Sequence, residues 1–255
     1  MNYLNATLLF FAAMLAGVMN SVAGGGSFIS FPTLIFTGVL PIPANATSTV
    51  ALWPGSVASI GAYWRKLPKN ARLLVPLTLV SILGGLLGAL VLLKTPQATF
   101  MHLVPYLFLV ATLLFTFGRK LSGLMGSLVK SSGPPSLWAV AAASLAQLVI
   151  AVYGGFFGGG IGILMLALLA IIQMDDIHSM NAVKSLLAAA INGAAVITFI
   201  VAKAVIWPQA ILMIVGAIVG GYSGAHMAQR LNPKLVRGFV ILVGFSMTAY
   251  FLYRY

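Results

Sequence analysis

Long apolar stretches recur along almost the whole chain, and nothing constrains its fold more. They fall at about 4–22, 27–40, 45–64, 73–93, 100–118, 136–153, 160–173, 181–202, 207–228 and 235–253. Most reach the roughly 18–20 residues a helix needs to cross a bilayer core about 30 Å thick. Inside lipid every backbone N–H and C=O must be satisfied by the protein itself, so continuous apolar runs of this length read as helices. The charges agree. Only 14 Lys or Arg and 2 Asp occur in 255 residues, with no Glu, a charged fraction of 6%. A soluble domain carries about 25%. An ordinary soluble enzyme, a disordered chain and a coiled coil are excluded. The expected fold is an all-α polytopic membrane protein.

The net charge of +12 does not point to nucleic acid. A nucleic-acid reader needs a basic face on a soluble fold. Here Lys and Arg form short clusters between apolar runs, the pattern of topology signals and of attraction to anionic lipid. The absence of Cys removes disulfides, thiolate metal sites and Cys nucleophiles. Leu4 to Val22 could be taken for a secretory leader, with Ser21-Val22-Ala23 as the cleavage site. Met1-Asn2-Tyr3 lacks the positive charge such a leader carries. The segment also belongs to a repeat, so it is expected to be part of the fold.

The two halves resemble each other. Gly24-Gly25-Gly26 in the first is matched by Gly158-Gly159-Gly160 in the second. Asn45-Ala46 is matched by Asn181-Ala182, and Gly84-Gly85 to Ala89 by Gly220-Gly221 to Ala225. The three landmarks keep their order, and the last two share one offset, from which the glycine triplets differ by only two positions. Each half has five apolar elements, and an odd number forces the second half to be inverted. The basic residues test this. With the loop Arg65 to Arg72 placed in the cytoplasm, 11 basic residues fall inside, and Lys94, Lys203 and Arg254 fall outside. The positive-inside bias favours that arrangement over its reverse. Internal duplication of this kind is common in secondary transporters.

The segments 27–40 and 160–173 are shorter than the rest and follow the triple glycines. With about 14 residues each, at about 1.5 Å per residue, they reach only ~21 Å. The first two elements of each half are therefore candidates for a re-entrant hairpin with half-helices. The expected organisation is a first membrane repeat at 1–118, a cytoplasmic linker at 119–135 and a second, inverted repeat at 136–255.

Two motifs carry chemistry. A triple glycine breaks a helix and lets backbone N–H groups approach a ligand. The helix that follows opens with unpaired N–H donors and the positive end of its dipole, which is an anion site made from backbone. The expected residues are Asn20, Ser21, Gly24, Gly25, Gly26 and Ser27, with Ser30 nearby, and Gly158, Gly159 and Gly160 with Tyr153. The plainer alternative is that these glycines only permit tight packing. The second motif is Asn45-Ala46-Thr47-Ser48-Thr49 and its counterpart Asn181-Ala182-Val183-Lys184-Ser185. Polar side chains are costly in lipid unless partnered. Ser48 aligns with Lys184, so one half supplies neutral donors and the other a cation. The alternative makes Asn45 and Asn181 helix N-caps and lets Lys184 reach the headgroups.

Other signals are weaker. Pro54-Gly55 would kink or break its helix. Gly84/Gly88 and Gly216/Gly220/Gly224 have GxxxG spacing and read as helix contact faces, which would also allow a homodimer. His102, His178 and His226 are scattered, with no metal-ligand spacing. Asp175-Asp176 are adjacent in a loop and cannot flank a substrate as an acid/base pair. No catalytic set, metal site or cofactor site is expected.

Asn20 to Phe36 (NSVAGGGSFISFPTLIF), Gly38 and Asn45 to Gly55 (NATSTVALWPG) resemble the sulfite exporter TauE/SafE family of membrane permeases. Gly154 to Gly162 and Asn181 to Ser185 resemble its second repeat. The likeness covers nearly the whole chain. It implies a multi-pass permease of a prokaryotic inner (plasma) membrane whose partners are membrane lipid and a small sulfur anion such as sulfite, sulfoacetate or a related sulfonate. The spans usually described for that family are fewer than ten, a difference that re-entrant segments would explain. The expected function is movement of a small anion by alternating access. A passive anion channel and a non-transporting membrane scaffold are the alternatives.

Overall fold

The computed structural model describes residues 2–22, 25–63, 66–68, 70–128, 137–172, 174, 176–227 and 233–254. Among them all regular structure is helical, in ten helices. The first half holds α1 (Tyr3–Val22), α2 (Ser27–Phe36), α3 (Pro41–Tyr63), α4 (Ala71–Lys94) and α5 (Gln97–Leu128). The second holds α6 (Leu137–Phe156), α7 (Ile161–Ile171), α8 (Ile177–Val201), α9 (Trp207–Met227) and α10 (Pro233–Arg254). Five of them, α1, α4, α5, α6 and α8, are long and apolar enough to cross a membrane. The protein is a multi-pass integral membrane protein.

The helices α2 and α7 have 10 and 11 residues. At about 1.5 Å per residue each covers roughly half of a ~30 Å bilayer core. Both stop in the same way. The amide of Val39 donates to Leu34 O (3.1 Å), and that of Met174 donates to Leu169 O (3.1 Å). This is the C-terminal wrap in which a residue beyond the cap closes back on the last turn.

Two helix starts differ from the sequence expectation. Asn45 and Asn181 lie one turn inside their helices and open neither. α3 begins at Pro41, whose fixed φ suits a first helical position. The Ile42 amide donates to Gln97 Oε1 (3.0 Å), a side chain at the start of α5. α8 begins at Ile177 behind Asp176, whose carboxylate accepts from the amides of His178 (3.2 Å) and Ser179 (3.0 Å). Both asparagine side chains are thereby released from capping. α3 also continues unbroken through Pro54. The expected linker begins inside α5, and residues 129–136 lie outside the described residues.

Packing interlocks the halves. α1 lies chiefly against α9 and α4 against α6, while α3 packs on both α8 and α9, and α8 on both α3 and α4. Advancing every helix by five positions exchanges the α1–α9 contact for α6–α4, and α3–α9 for α8–α4. Glycines set these seams, as their GxxxG spacing suggests. A methyl group on Gly84 would sit 2.5 Å from Ala151 Cβ and 2.9 Å from Leu148 O, and one on Gly220 would overlap Met14 O. Gly84 and Gly220 correspond across the repeat, and Met14 and Leu148 are offset like the glycine triplets, so the two close approaches occupy matching places. Close-packed interiors leave no room for such an added carbon. These glycine faces are therefore occupied within the chain.

Candidate functional site

The helix α5 is the rail on which the site is built. The α1–α2 turn meets it at Phe115: a methyl group on Gly25 would lie 3.0 Å from Phe115 Cζ. The α6–α7 turn meets it one turn away, where a methyl group on Gly160 would lie 3.4 Å from Ala111 Cα. Both turns need glycine, with φ +89° at Gly25 and +76° at Gly160, a left-handed region costly for other residues. From there the short helices part. α2 runs along α5 towards its N-terminus, with Phe28 against Phe115 and Phe108, and Phe31 against Phe108 and Phe100. α7 runs the other way, bringing Ile163 against Gly118. The N-terminal ends of α2 and α7 thus start at neighbouring levels of one helix and point away from each other.

The α2 start is closed by polar side chains. Asn20 Oδ1 accepts from the Gly26 amide (2.7 Å), taking one of the donors that a helix start leaves unpaired. Ser30 and Ser48 share a buried hydrogen bond (2.7 Å) between α2 and α3. Asn45 Nδ2 donates to Phe156 O at the end of α6 (3.1 Å), stitching the first half to the second tip. Thr47 is spent elsewhere, accepting from the Ile206 amide ahead of α9 (3.1 Å). Thr49 donates to Asn45 O within its own helix (2.8 Å). Ser27 is half-buried at the first position of α2. Ser21 belongs to the last turn of α1, and Gly24 lies outside the described residues.

The α7 start is built differently. Gly160 is its N-cap, with no side-chain cap on the amides that follow. The hydroxyl of Tyr153 donates to Gly159 O (2.8 Å), fixing the turn through its carbonyl and leaving its N–H side alone. The Lys184 stem crosses α7 at Gly162, where an added methyl would lie 3.4 Å from Lys184 Cδ. Its ammonium donates to Asn181 Oδ1 (3.0 Å). Asn181 and Lys184 are half-buried one turn apart, and Ser185 is buried beside them. The structure therefore brings Gly158–Gly160, Asn181 and Lys184 together around α7. It brings Asn20, Gly26, Ser48 and Asn45 together around α2. Thr47 joins neither group.

Three contributors escaped the sequence reading. Trp53 Nε1 donates to Ala189 O (3.1 Å), and its indole lies against Gly193. Trp53 and Ala189 are separated by the offset of the repeat, so that spacing was a usable signal. Arg237 Nε and Nη2 donate to Phe115 O (3.0 and 2.7 Å), pinning α10 to α5 beside Gly25. Buried phenylalanines from α2, α5, α10 and the second tip fill the space beside the tips. Their positions follow no sequence period.

A polytopic helical bundle with paired glycine turns and short helices, almost free of acidic residues, defines a membrane transporter of the duplicated type. The chain belongs to the sulfite exporter TauE/SafE family, which it matches over residues 9–251. It is 26% identical over 246 residues to a probable membrane transporter protein of Haemophilus influenzae, covering 96% of this chain and 94% of that one. It is 28% identical over 249 residues to the probable membrane transporter protein YfcA of Escherichia coli K12, covering 96% and 89%. A probable membrane transporter protein, ORF9, of Sinorhizobium is 28% identical over 240 residues, covering 94% and 89%. No solved structure matches the chain.

Proposed function

We propose that this transporter moves small anions, most favourably sulfur oxyanions or sulfonates such as sulfite or sulfoacetate, across a bacterial inner membrane. The anion is held between the starts of α2 and α7, and it is exchanged between the two sides by alternating access of two inverted repeats. One observation carries the reading. Two half-length helices begin on the same stretch of α5 and run in opposite directions from it. Both positive dipole ends, each worth about half a charge, then face one region. The matching of helix contacts between the halves supports the inversion, as does the 11 to 3 division of basic residues.

The site chemistry suits an anion. Backbone N–H groups, hydroxyls, amides and one ammonium are present, and the two acids of the chain both lie in the α7–α8 loop. The re-entrant reading of α2 and α7 agrees with their length. Gly25–Gly26 and Gly158–Gly160 would present N–H groups, with Ser27 and the Ser30–Ser48 pair on one side and Lys184 and Asn181 on the other. The experiment is anion flux in proteoliposomes of the purified protein. Saturating uptake of sulfite or sulfoacetate above that of empty liposomes is expected. Absence of flux with every sulfur anion tested would end this reading, and flux that never saturates would make the protein a channel.

A further inference from the structure

Phe31 of α2, Phe100 and Phe108 of α5, Phe157 of the α6–α7 turn and Phe251 of α10 are buried as one connected group. Phe31 is its centre, with ring centroids 6.3 Å from Phe100, 6.0 Å from Phe108, 6.1 Å from Phe157 and 6.4 Å from Phe251. Phe108 closes the group, 5.5 Å from Phe157 and 5.7 Å from Phe251. The group has a definite place. Phe100 is in the first turn of α5 and Phe251 is near the end of α10. Phe36 at the end of α2 stacks on Tyr250 (5.2 Å). These helix ends lie on the face with Lys94 and Arg254, which the charge bias puts outside the cell. On the other side, the core around α7 is aliphatic, with Met165, Leu168, Leu169 and Leu187 buried together with Leu73 and Leu77 of α4.

We propose that this phenylalanine group is the external gate of the permeation path, closed in this structure, with Phe31 as the bolt and Phe157 as its moving catch. The inference rests on the reading that the anion is held between the two tips. Aromatic faces carry negative charge density and their edges positive. Rings packed edge to face satisfy one another and offer an anion no free edge. A dry apolar constriction also blocks ions by excluding the water they carry. The catch has a reason to move. Phe157 sits in a turn ahead of Gly158 and Gly160, both at positive φ, while Phe31 is inside a helix. A shift of the second tip against α2, which alternating access requires, separates Phe157 from Phe31 without unpacking either helix.

The chain has no Cys, so a single cysteine can report the gate directly. Ser48→Cys places a thiol at a buried position bonded to Ser30, one residue before Phe31. It is probed in right-side-out vesicles with a membrane-impermeant maleimide added outside. Labelling is expected to be slow in the Ser48→Cys protein and several-fold faster when Phe31→Ala or Phe157→Ala is added. Phe199→Ala removes an equally buried ring from the same core without touching the group, and should leave labelling slow. Phe31→Leu serves if Phe31→Ala does not fold. Labelling unchanged in both gate variants, or raised as much by Phe199→Ala, would overturn the gate. The labelling needs no transported anion. A wrong gate appears as unchanged labelling in a protein that still moves anions, and a wrong transport reading as absent flux whatever the labelling does.

Discussion

The two glycine tips descend from one repeated unit and have been finished in opposite ways. The first is sewn shut by neutral groups: Asn20 on the Gly26 amide, Ser30 on Ser48, Asn45 on Phe156 O. The second keeps its helix start uncapped by side chains and carries the one cation of the pair, Lys184, alongside Gly162. Duplication gives two helix starts on one rail, and divergence separates their tasks. The α1–α2 tip is the frame, and the α6–α7 tip is the part that holds charge. The sharpest way to break this contrast is to truncate the aligned pair Ser48 and Lys184. Lys184→Ala should weaken apparent anion affinity by about tenfold or more, since a hydrogen bond to a charged group is worth roughly 1.5–3 kcal/mol and tenfold is about 1.4. Ser48→Ala should change it by no more than about threefold, the scale of one neutral hydrogen bond. The measurement is concentration-dependent flux in proteoliposomes. Equal effects at both positions would mean two equivalent tips, and no effect at Lys184 would make it a headgroup contact.

A smaller effect sharpens the framing role of the first tip. Asn20→Ala leaves the Gly26 amide without its acceptor and should cost about 1 kcal/mol, the usual worth of a side chain on a helix start. For a chain of this size that lowers the thermal midpoint by roughly 2–4 °C. Tyr153→Phe removes the hydrogen bond to Gly159 O and should cost about the same, near 1 kcal/mol. The two should separate in transport. Asn20→Ala is expected to spare anion affinity, whereas Tyr153→Phe loosens the turn that presents the α7 amides and should weaken it. Thermal unfolding in detergent, run beside the flux assay, tests both, and matching profiles would contradict the division of labour.

How much of this could be read from the chain depends on range. Ten elements were legible because each is a continuous apolar run, and lipid leaves such a run only helical options. The glycine seams were legible because GxxxG spacing is local. Helix starts were less so. Asn45 looks like a cap, yet Pro41 opens α3 with help from Gln97, a partner 55 residues away from Ile42. The site was legible in its glycines and in Lys184, which the repeat singles out by alignment. It was not legible in its phenylalanines. Positions 31, 100, 108, 157 and 251 are joined only by the crossing of α2, α5, α10 and the second tip. Thr47 shows the converse: a hydroxyl in a polar cluster that the fold uses on the Ile206 amide.

The starts of α3 and α8 extend the contrast and give its mildest test. These helices correspond across the repeat, yet α3 borrows Gln97 from α5 while α8 uses its own neighbour, Asp176. An amide cap is indifferent to pH and a carboxylate cap is not. The Ser179 hydroxyl and the amides of His178 and Ser179 donate to Asp176 and hold its carboxyl below the ordinary value of 3.8. Its folded-state pKa is lowered, so its contribution is fully present above the unfolded value. That contribution is lost as pH falls through the lower, folded value. The Asp176 start should therefore stabilise α8 at neutral pH and fade only in acid. Asp176→Ala is expected to lower the thermal midpoint at pH 7. Asp176→Asn, which keeps an acceptor at the cap, should stay close to the native protein. In acid the native protein should fall below Asp176→Asn, while the loss caused by Gln97→Ala should be the same at every pH. A native protein and Asp176→Asn that keep the same relative stability at both pH values would show that the carboxylate carries no weight at α8. The two helix starts would then differ in residue type alone.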